Sequence, residues 1–260
     1  MTAATRVLQR NLLVYRRTFR GSIFSSFVTP LLYLTAMGLG LGQLVTTGDQ
    51  SSLPGGSYLA FLGPGIMAAS CMQSSVFEST FPIMGKIMWR RNYEAMLATP
   101  IEVRHILGGE LLYIGLRMVL ISSVFLVVLT LFRIPTSFLA VLAIPSCVLL
   151  GIAFSSAIIS FAATQKNDAG FAWMFRFVIN PLFLFSGTFF PLSTLPDSLR
   201  WFEWIAAATP LYHGVALARG AVLGDPGTLA GWPWHVAYLV TFAAVFAVIA
   251  NRNLARRLVK

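Results

Sequence analysis

Long apolar runs divide this chain and restrict it to one kind of environment. The six runs cover residues 21–44, 58–85, 106–132, 138–164, 171–190 and 232–250. A helix needs about 20 predominantly apolar residues to cross the hydrocarbon core of a bilayer, which these runs provide. Charged residues make up only 11% of the 260 residues and apolar residues 57%, a balance that a soluble domain cannot bury. The sequence therefore predicts an all-α membrane protein with six transmembrane helices in one domain, residues 1–260.

The basic residues are distributed unevenly between the two sides of the predicted membrane. Fourteen of the nineteen lysines and arginines fall before the first run, in the second and fourth connections, or in the C-terminal tail. The positive-inside rule therefore predicts a multi-pass membrane protein with both termini in the cytoplasm. The net charge of +10 indicates attraction to the anionic lipid headgroups of the bilayer, and no nucleic-acid partner is expected.

The N-terminal segment, residues 1–20, is predicted to form a separate amphipathic helix. One narrow sector of that helix would contain its large apolar residues, Leu8, Leu12, Tyr15 and Phe19. Five arginines occupy the remaining sectors. Such a helix lies in the cytoplasmic membrane interface with its apolar face in lipid. A plain topological anchor and a helix that grips a partner are both open as its role.

Residues 191–224 are apolar but broken into pieces too short to span. The pieces, about 199–208 and 211–223, are separated by Pro210. The sequence predicts a short external re-entrant helical pair between spans five and six, capping the outer end of a pathway as a gate or as a static lid. An ordinary loop with helical turns is the alternative. The polar residues assigned to the gate are Arg200, Glu203, His213 and Arg219.

The connection over residues 86–104 is predicted to lie in the cytoplasm and to dock a partner. Asn92 is expected to cap a short helix, residues 93–98, that Pro100 ends. This helix would expose an apolar face made of Tyr93, Met96 and Leu97, with Glu94 on its rim. A surface helix of topological use only is the alternative.

Charged residues inside the predicted spans are costly and need partners. Glu110 and Arg117 are seven residues apart in span three, on one helix face, and indicate a structural ion-pair network between spans, with contact to a substrate as the alternative. Glu110 could also meet Arg104 or the cytoplasmic connection. Glu78 lies deeper in span two beside Gln73, where a pathway-lining role and a packing role are both open.

The chain lacks the sequence signatures of an enzyme or a nucleotide-binding protein. There is no G-x-x-x-x-G-K-[ST] sequence, so ATP-driven transport would require a separate ATPase. Cys71 and Cys147 both lie in apolar runs, where burial is favoured over a metal site or a disulfide framework. An intramembrane serine protease is an alternative, but Leu184 stands where its G-x-S-G element needs a glycine. A passive channel is another alternative, although it would need no docking connection.

Three segments together resemble the permeases of type-2 ABC exporters, a family that includes drug, polysaccharide and nodulation-factor exporters. They are SYLAFLGPGIMAAS at residues 57–70, RRNYEAMLATP at 90–100, and an SG-x-x-F-P-L-x-x-L-P run that begins at residue 186. The resemblance extends over nearly the whole chain. It implies that the E-x-x-L-x-T-P segment is a coupling helix seated in a groove of the ATPase. The matching residues are Glu94, Leu97, Thr99 and Pro100.

The resemblance also implies a location in the bacterial plasma (inner) membrane, together with partners and a pathway. Two copies of an ATPase would carry ATP and magnesium, and a second copy of this chain or a homologous permease would complete the pathway. The chain itself would bind no cofactor or metal and would hold no catalytic residue. The candidate pathway-lining residues are Tyr33, Gln73, Phe77, Glu78, Phe185 and Phe189. An aromatic inventory with few intramembrane charges favours a lipophilic or amphipathic substrate such as a drug, with a lipid-linked glycan or glycolipid as the alternative.

Overall fold

The described part of the chain is all-helical. The computed structural model describes residues 3–36, 57–134, 137–191, 200–224 and 231–259. Its helices are α1 (Ala3–Thr35), α2 (Tyr58–Trp89), α3 (Asn92–Leu97), α4 (Val103–Leu131), α5 (Phe138–Ala162), α6 (Ala169–Phe185), α7 (Arg200–Ala207), α8 (Pro210–Leu223) and α9 (Trp232–Leu258). Thr80, with a ψ of −98°, interrupts α2 between Ser79 and Phe81, and single π-helical turns lie at Gly85–Trp89 in α2 and at Phe175–Ile179 in α6.

Within those residues, four helices are long and apolar enough to cross a membrane: α2, α4, α5 and α9. α6 is apolar but shorter. At 1.5 Å per residue it is about 26 Å long, slightly less than the roughly 30 Å hydrocarbon core. The assignment of α1 and α6 as spans one and five therefore stays a prediction.

The N-terminal helix differs from the prediction. α1 continues without a break from Ala3 to Thr35, so the predicted interfacial helix over residues 1–20 and the start of span one form one helix. Charged residues do not interrupt a helix, and a lone glycine such as Gly21 costs only about 1 kcal/mol. The change from an amphipathic to an apolar pattern near residue 20 indicated a change of environment, but no residue there ends the helix.

The face that α1 buries also differs from the prediction. Val7 and Asn11 are buried, whereas Leu8 and Leu12 are only half-buried. The cause is the packing of α1 along α4, which is closest at Gly109. A Cβ at Gly109 would lie 2.5 Å from the Cβ of Val7 and 2.9 Å from the carbonyl oxygen of Ala4. Small residues allow this approach between membrane helices.

The centre of the bundle is formed by α2 and α5. α5 packs against α2, α4, α8 and α9, and the first turns of α2 are buried all round, from Ala60 to Ala69. A helix that is apolar on every side belongs in such an enclosed position. The cysteines of these helices, Cys71 and Cys147, are both buried, as predicted.

The described ends of the chain lie at the same end of the bundle. Lys86, near the end of α2, donates to Asn11 of α1 at 3.4 Å. A groove beside α3 is lined by Leu97, Arg104 and, from α9, Leu258. We call this the basic end, and we call the end that holds α7 and α8 the outer end. Placing both described ends together agrees with an even number of spans, and their cytoplasmic location stays a prediction.

Candidate functional site

A buried carboxylate at the basic end joins four separate segments. Glu110 of α4 is 2% exposed. Lys86 Nζ donates to both of its oxygens at 2.7 Å, Tyr93 Oη donates to Oε1 at 3.0 Å, and Asn11 Nδ2 donates to Oε2 at 3.0 Å. We call these four residues the Glu110 cluster. Because a cation and two neutral donors compensate the buried charge, the cluster can tie α1, the end of α2, α3 and α4 together.

Two unusual backbone segments place the donors of this cluster. The π-turn at the end of α2 inserts one extra residue, closed by a bond from the Arg90 amide to the Gly85 carbonyl at 2.9 Å. Arg91 then adopts a left-handed conformation with φ of 47°, and α3 begins at Asn92. The prediction that Asn92 caps this helix is wrong, because Arg91 holds the cap position and no side chain caps it.

The left-handed turn directs Tyr93 inward, which corrects the predicted docking face. Tyr93 is 1% exposed, and Met96 and Leu97 are half-buried against the core. Burial and the neighbouring Glu110 carboxylate raise the pKa of the Tyr93 phenol well above its usual 10, so it remains a proton donor. The exposed part of this segment, which we call the α3 surface, comprises Glu94, Ala95, Ala98, Thr99 and Pro100.

The other predicted intramembrane charges, Arg117 and Glu78, pair with each other between α4 and α2. Arg117 contacts Glu78 of α2, with 3.0 Å between Nη2 and Oε1, and its guanidinium lies 4.7 Å from the ring centroid of Tyr15. Glu110 and Arg117 share α4 but have separate partners. Arg104 is not a partner of Glu110, because it pairs with Glu102 at 2.7 Å.

Sequence reasoning missed Asn11 and Lys86 as members of the site. Asn11 lies in the predicted interfacial helix and Lys86 in the connection predicted to lie in the cytoplasm, where polar residues need no explanation. The available signal was Glu110 itself, since a carboxylate inside an apolar run requires a cation nearby. The structure supplies this cation from Lys86, in the last turns of α2.

Two of the predicted pathway residues are exposed, Phe77 of α2 and Phe185 of α6, and the other described ones are half-buried. Phe77 is 56% exposed, and its ring centroid lies 5.0 Å from that of Phe175. Phe185 is also exposed, while Gln73 and Phe189 are half-buried. The side chain of Tyr33 lies outside the described residues. Exposed aromatic residues on these helices are consistent with a surface that another chain covers, and their role in a pathway stays a prediction.

At the outer end, the predicted pair of short helices is present as α7 and α8. Thr209 caps α8, its Oγ1 accepting from the Tyr212 amide at 3.4 Å, and Pro210 occupies the first turn, where its missing N–H costs nothing. α8 packs against α2, α5 and α9 and is mostly buried, whereas α7 is more exposed, with Trp204 at 80%. Whether the pair re-enters the membrane stays a prediction.

Arg219 fastens α8 to two neighbouring segments. Its Nε donates to the carbonyl of Phe61 at 3.2 Å and its Nη2 to that of Gly187 at 3.0 Å, while its guanidinium lies 3.8 Å from the Phe61 ring centroid. It forms no ion pair with the acidic residues that the structure describes. Burial lowers the pKa of Arg219 to about 10, so it is still cationic at neutral pH.

A histidine pair joins α8 to α9. The Nδ1 atoms of His213 and His235 are 2.7 Å apart, so one must donate to the other, and His213 stacks on Tyr238 at a centroid distance of 3.9 Å. Burial, and then the neighbouring His235, lowers the pKa of His213 to about 4, so His213 is neutral at pH 7. Of the other predicted gate residues, Glu203 is half-buried and the side chain of Arg200 lies outside the described residues.

The sequence model of the ABC-2 type transporter family matches residues 2–223, and the chain belongs to this family. It is therefore a multi-pass membrane permease of an ABC transporter, a subunit that is not itself catalytic. This confirms the resemblance found in the sequence. Membership also implies partnership with an ATPase.

The chain is similar in sequence to several rhizobial proteins. Nodulation protein J of Rhizobium leguminosarum bv. viciae is 31% identical over 255 residues, which cover 98% of this chain and 94% of that protein. Nodulation protein J of Rhizobium meliloti (strain 1021) is 30% identical over 252 residues, covering 97% and 92%. The protein of the same name from Bradyrhizobium diazoefficiens is 31% identical over 259 residues, covering 97% and 94%. The similarity thus extends over nearly the full length of each.

Proposed function

We propose that this chain is the permease of an ATP-driven exporter, moving a lipophilic or amphipathic molecule out of the cytoplasm or the inner leaflet. The observation that carries the proposal is the α3 surface. It is exposed at the basic end on a helix whose other side is fastened by Tyr93 to Glu110. A partner that docks there would act on a helix already bonded to the spans.

The Glu110 cluster supplies the mechanical link of the proposed mechanism. When two ATPase subunits, which bind ATP and magnesium, close on each other, they displace α3. Because Tyr93 bonds to Glu110, the displacement passes to α4, and through Asn11 and Lys86 it reaches α1 and α2. A second permease, this chain or a homologue, completes the pathway along the exposed aromatic residues of α2 and α6.

The role of the α3 surface can be tested by reversing the charge of one of its side chains and enlarging another. We expect the double variant Glu94→Arg/Ala98→Glu to bind the ATPase about tenfold more weakly or worse, because both positions are exposed and a charge mismatch at a docking contact is costly. The measurement is co-purification of the ATPase with the tagged permease, together with ATP-dependent transport.

The matched control is Asn167→Glu, which adds a charge to an exposed connection following α5. That variant should retain the ATPase. Normal association and coupling in Glu94→Arg/Ala98→Glu would remove the basis for assigning α3 as the coupling helix.

A lipid-linked glycan or glycolipid is the second candidate substrate. It satisfies the same requirement for an amphipathic molecule, and the similar proteins are named for nodulation rather than for drug resistance. Transport of a labelled glycolipid and of a lipophilic drug by the same reconstituted complex would decide between the two candidates.

The outer helices α7 and α8 are proposed to cap the pathway as a gate. Val215 of α8 is 2% exposed, so a Val215→Cys variant should resist a membrane-impermeant thiol reagent at rest and react when ATP is trapped on the complex. The native cysteines are buried and give little background. Trp204→Cys, at a position 80% exposed, should react in both states. Unchanged protection of Val215→Cys during active transport would indicate a static lid instead.

A further inference from the structure

A cavity of about 300 Å³ opens at the basic end between α1 and the last turns of α2. Arg10 and Arg90 line it together with Trp89, and it extends inward to Glu78 and Tyr113. It also includes the polar groups of Asn11 and Lys86, so one wall is the Glu110 cluster. The cavity thus connects the basic end with the predicted pathway on α2.

The charges that line this cavity do not balance. Lys86 is neutralised by Glu110 at 2.7 Å, and Glu78 by Arg117 at 3.0 Å. Arg10 and Arg90 form no ion pair with any residue in the described ranges, and Arg10 makes only a 3.5 Å contact to Asn11 Oδ1. Two cations therefore remain available to an anionic group, and low-dielectric walls strengthen their attraction for it.

The cavity also presents an aromatic surface that continues along α2. The indole of Trp89 lies over Gly85, where a Cβ would come within 3.3 Å of its Cε3 atom, and the indole remains 65% exposed. Phe81, which also lines the cavity, is 41% exposed, and Phe77, four residues before it, is 56% exposed. Their rings pack on successive turns of α6, Phe81 on Phe171 at 5.3 Å and Phe77 on Phe175 at 5.0 Å between ring centroids, so an apolar strip leads away from the two arginines.

We propose that this cavity binds the headgroup of an anionic amphiphile, carrying a phosphate, sulfate or carboxylate, whose chain lies along Phe81 and Phe77. The proposal rests on the export function and names its substrate class. The competing occupant is a segment of the ATPase. The amphiphile is favoured because the cavity extends inward to Glu78 and Tyr113, which lie on spans, because no residue of the α3 surface lines it, and because its aromatic strip continues along α2.

Binding can be measured on the full purified chain with simple probes. Native mass spectrometry in dodecyl maltoside counts bound dodecyl phosphate, which is anionic, and dodecylphosphocholine, which is zwitterionic. We expect the anionic probe to bind at least about tenfold more tightly, as hydrogen bonds to charged groups allow. The double variant Arg10→Gln/Arg90→Gln should abolish this preference. Trp89→Ala should weaken both probes equally, because the indole contacts the chain or the headgroup irrespective of charge.

The matched control is Arg6→Gln/Arg252→Gln, which removes two exposed arginines that do not line the cavity. This control should keep the preference for dodecyl phosphate. Equal binding of the two probes by the wild type would overturn the proposal. So would an equal loss of the preference for dodecyl phosphate in Arg10→Gln/Arg90→Gln and in the control Arg6→Gln/Arg252→Gln. So would an intact preference in Arg10→Gln/Arg90→Gln accompanied by loss of the co-purifying ATPase, which would assign the cavity to the partner. The assay needs neither ATPase nor nucleotide, so failure of the export function is detected separately, in the α3 variants.

Discussion

Replacing Glu110 by glutamine is expected to lower the free energy of unfolding by about 3–5 kcal/mol, the usual cost of breaking a buried ion pair. The Glu110→Gln amide leaves the charge of Lys86, whose side chain is 17% exposed, without a counter-ion. It also offers one oxygen where three side chains now donate. The measurement is thermal unfolding of the purified protein, followed by circular dichroism and by size-exclusion profile.

The chain contains a matched control for this substitution. Glu102 pairs with Arg104 at 2.7 Å, but their side chains are 60% and 68% exposed, so Glu102→Gln should cost no more than about 1 kcal/mol. A Glu110→Gln/Lys86→Met double variant should recover part of the lost stability, because no uncompensated charge is left. If Glu110→Gln were no more destabilising than Glu102→Gln, the cluster could not be the mechanical link between α3 and the spans.

The second large effect is expected at Gly109, where α1 and α4 touch. Gly109→Ala should destabilise the protein by at least about 1–3 kcal/mol, the range for overpacked sites. The added methyl would meet the backbone oxygen of Ala4 at 2.9 Å as well as Val7, and backbone cannot move aside like the tip of a side chain. The same thermal unfolding measurement applies.

The neighbouring glycine provides the control. A Cβ at Gly108 would lie 3.7 Å from the Cβ of Ala4, an ordinary contact. Gly108→Ala should therefore be neutral, or stabilising by up to about 1 kcal/mol through helix propensity. Adding Val7→Ala to Gly109→Ala should restore little, because the Ala4 oxygen remains. Equal stability of the two single variants would show that α1 and α4 do not approach as closely as described.

Much of the helical framework was predictable, because apolar length and local breakers are properties of the sequence. The starts of α2, α5 and α9 agree with prediction at residues 58, 138 and 232. Pro210 separated two short helices, and the structure has them as α7 and α8. The boundary at residue 20 failed, since a change in polarity does not end a helix.

The candidate site was predictable only in part. Glu110, Arg117 and Glu78 were recognised as intramembrane charges that need partners. The cytoplasmic connection that was expected near Glu110 supplies Lys86 and Tyr93, but the contact with Asn11 and the pairing of Arg117 with Glu78 were not predicted. Glu110 and Lys86 are 24 positions apart along the chain, and Glu110 and Asn11 are 99 apart. A periodic pattern within one helix gives no information about contacts between residues that are so far apart along the chain. Tyr93 looked like part of an exposed face for the same reason, since its burial depends on a left-handed turn at Arg91 and on a carboxylate in another helix.

The sequence alone determined that this chain is a helical membrane protein of the ABC-2 family. The length of apolar runs, the distribution of basic residues and short motifs are all properties of the linear sequence. The tertiary structure decided which polar groups neutralise one another and which side of α3 is exposed. It also left Arg10 and Arg90 facing a cavity without an acidic partner among the described residues. The physical reason is that a buried charge is stabilised by whatever lies within about 3 Å of it, and only packing brings distant segments that close.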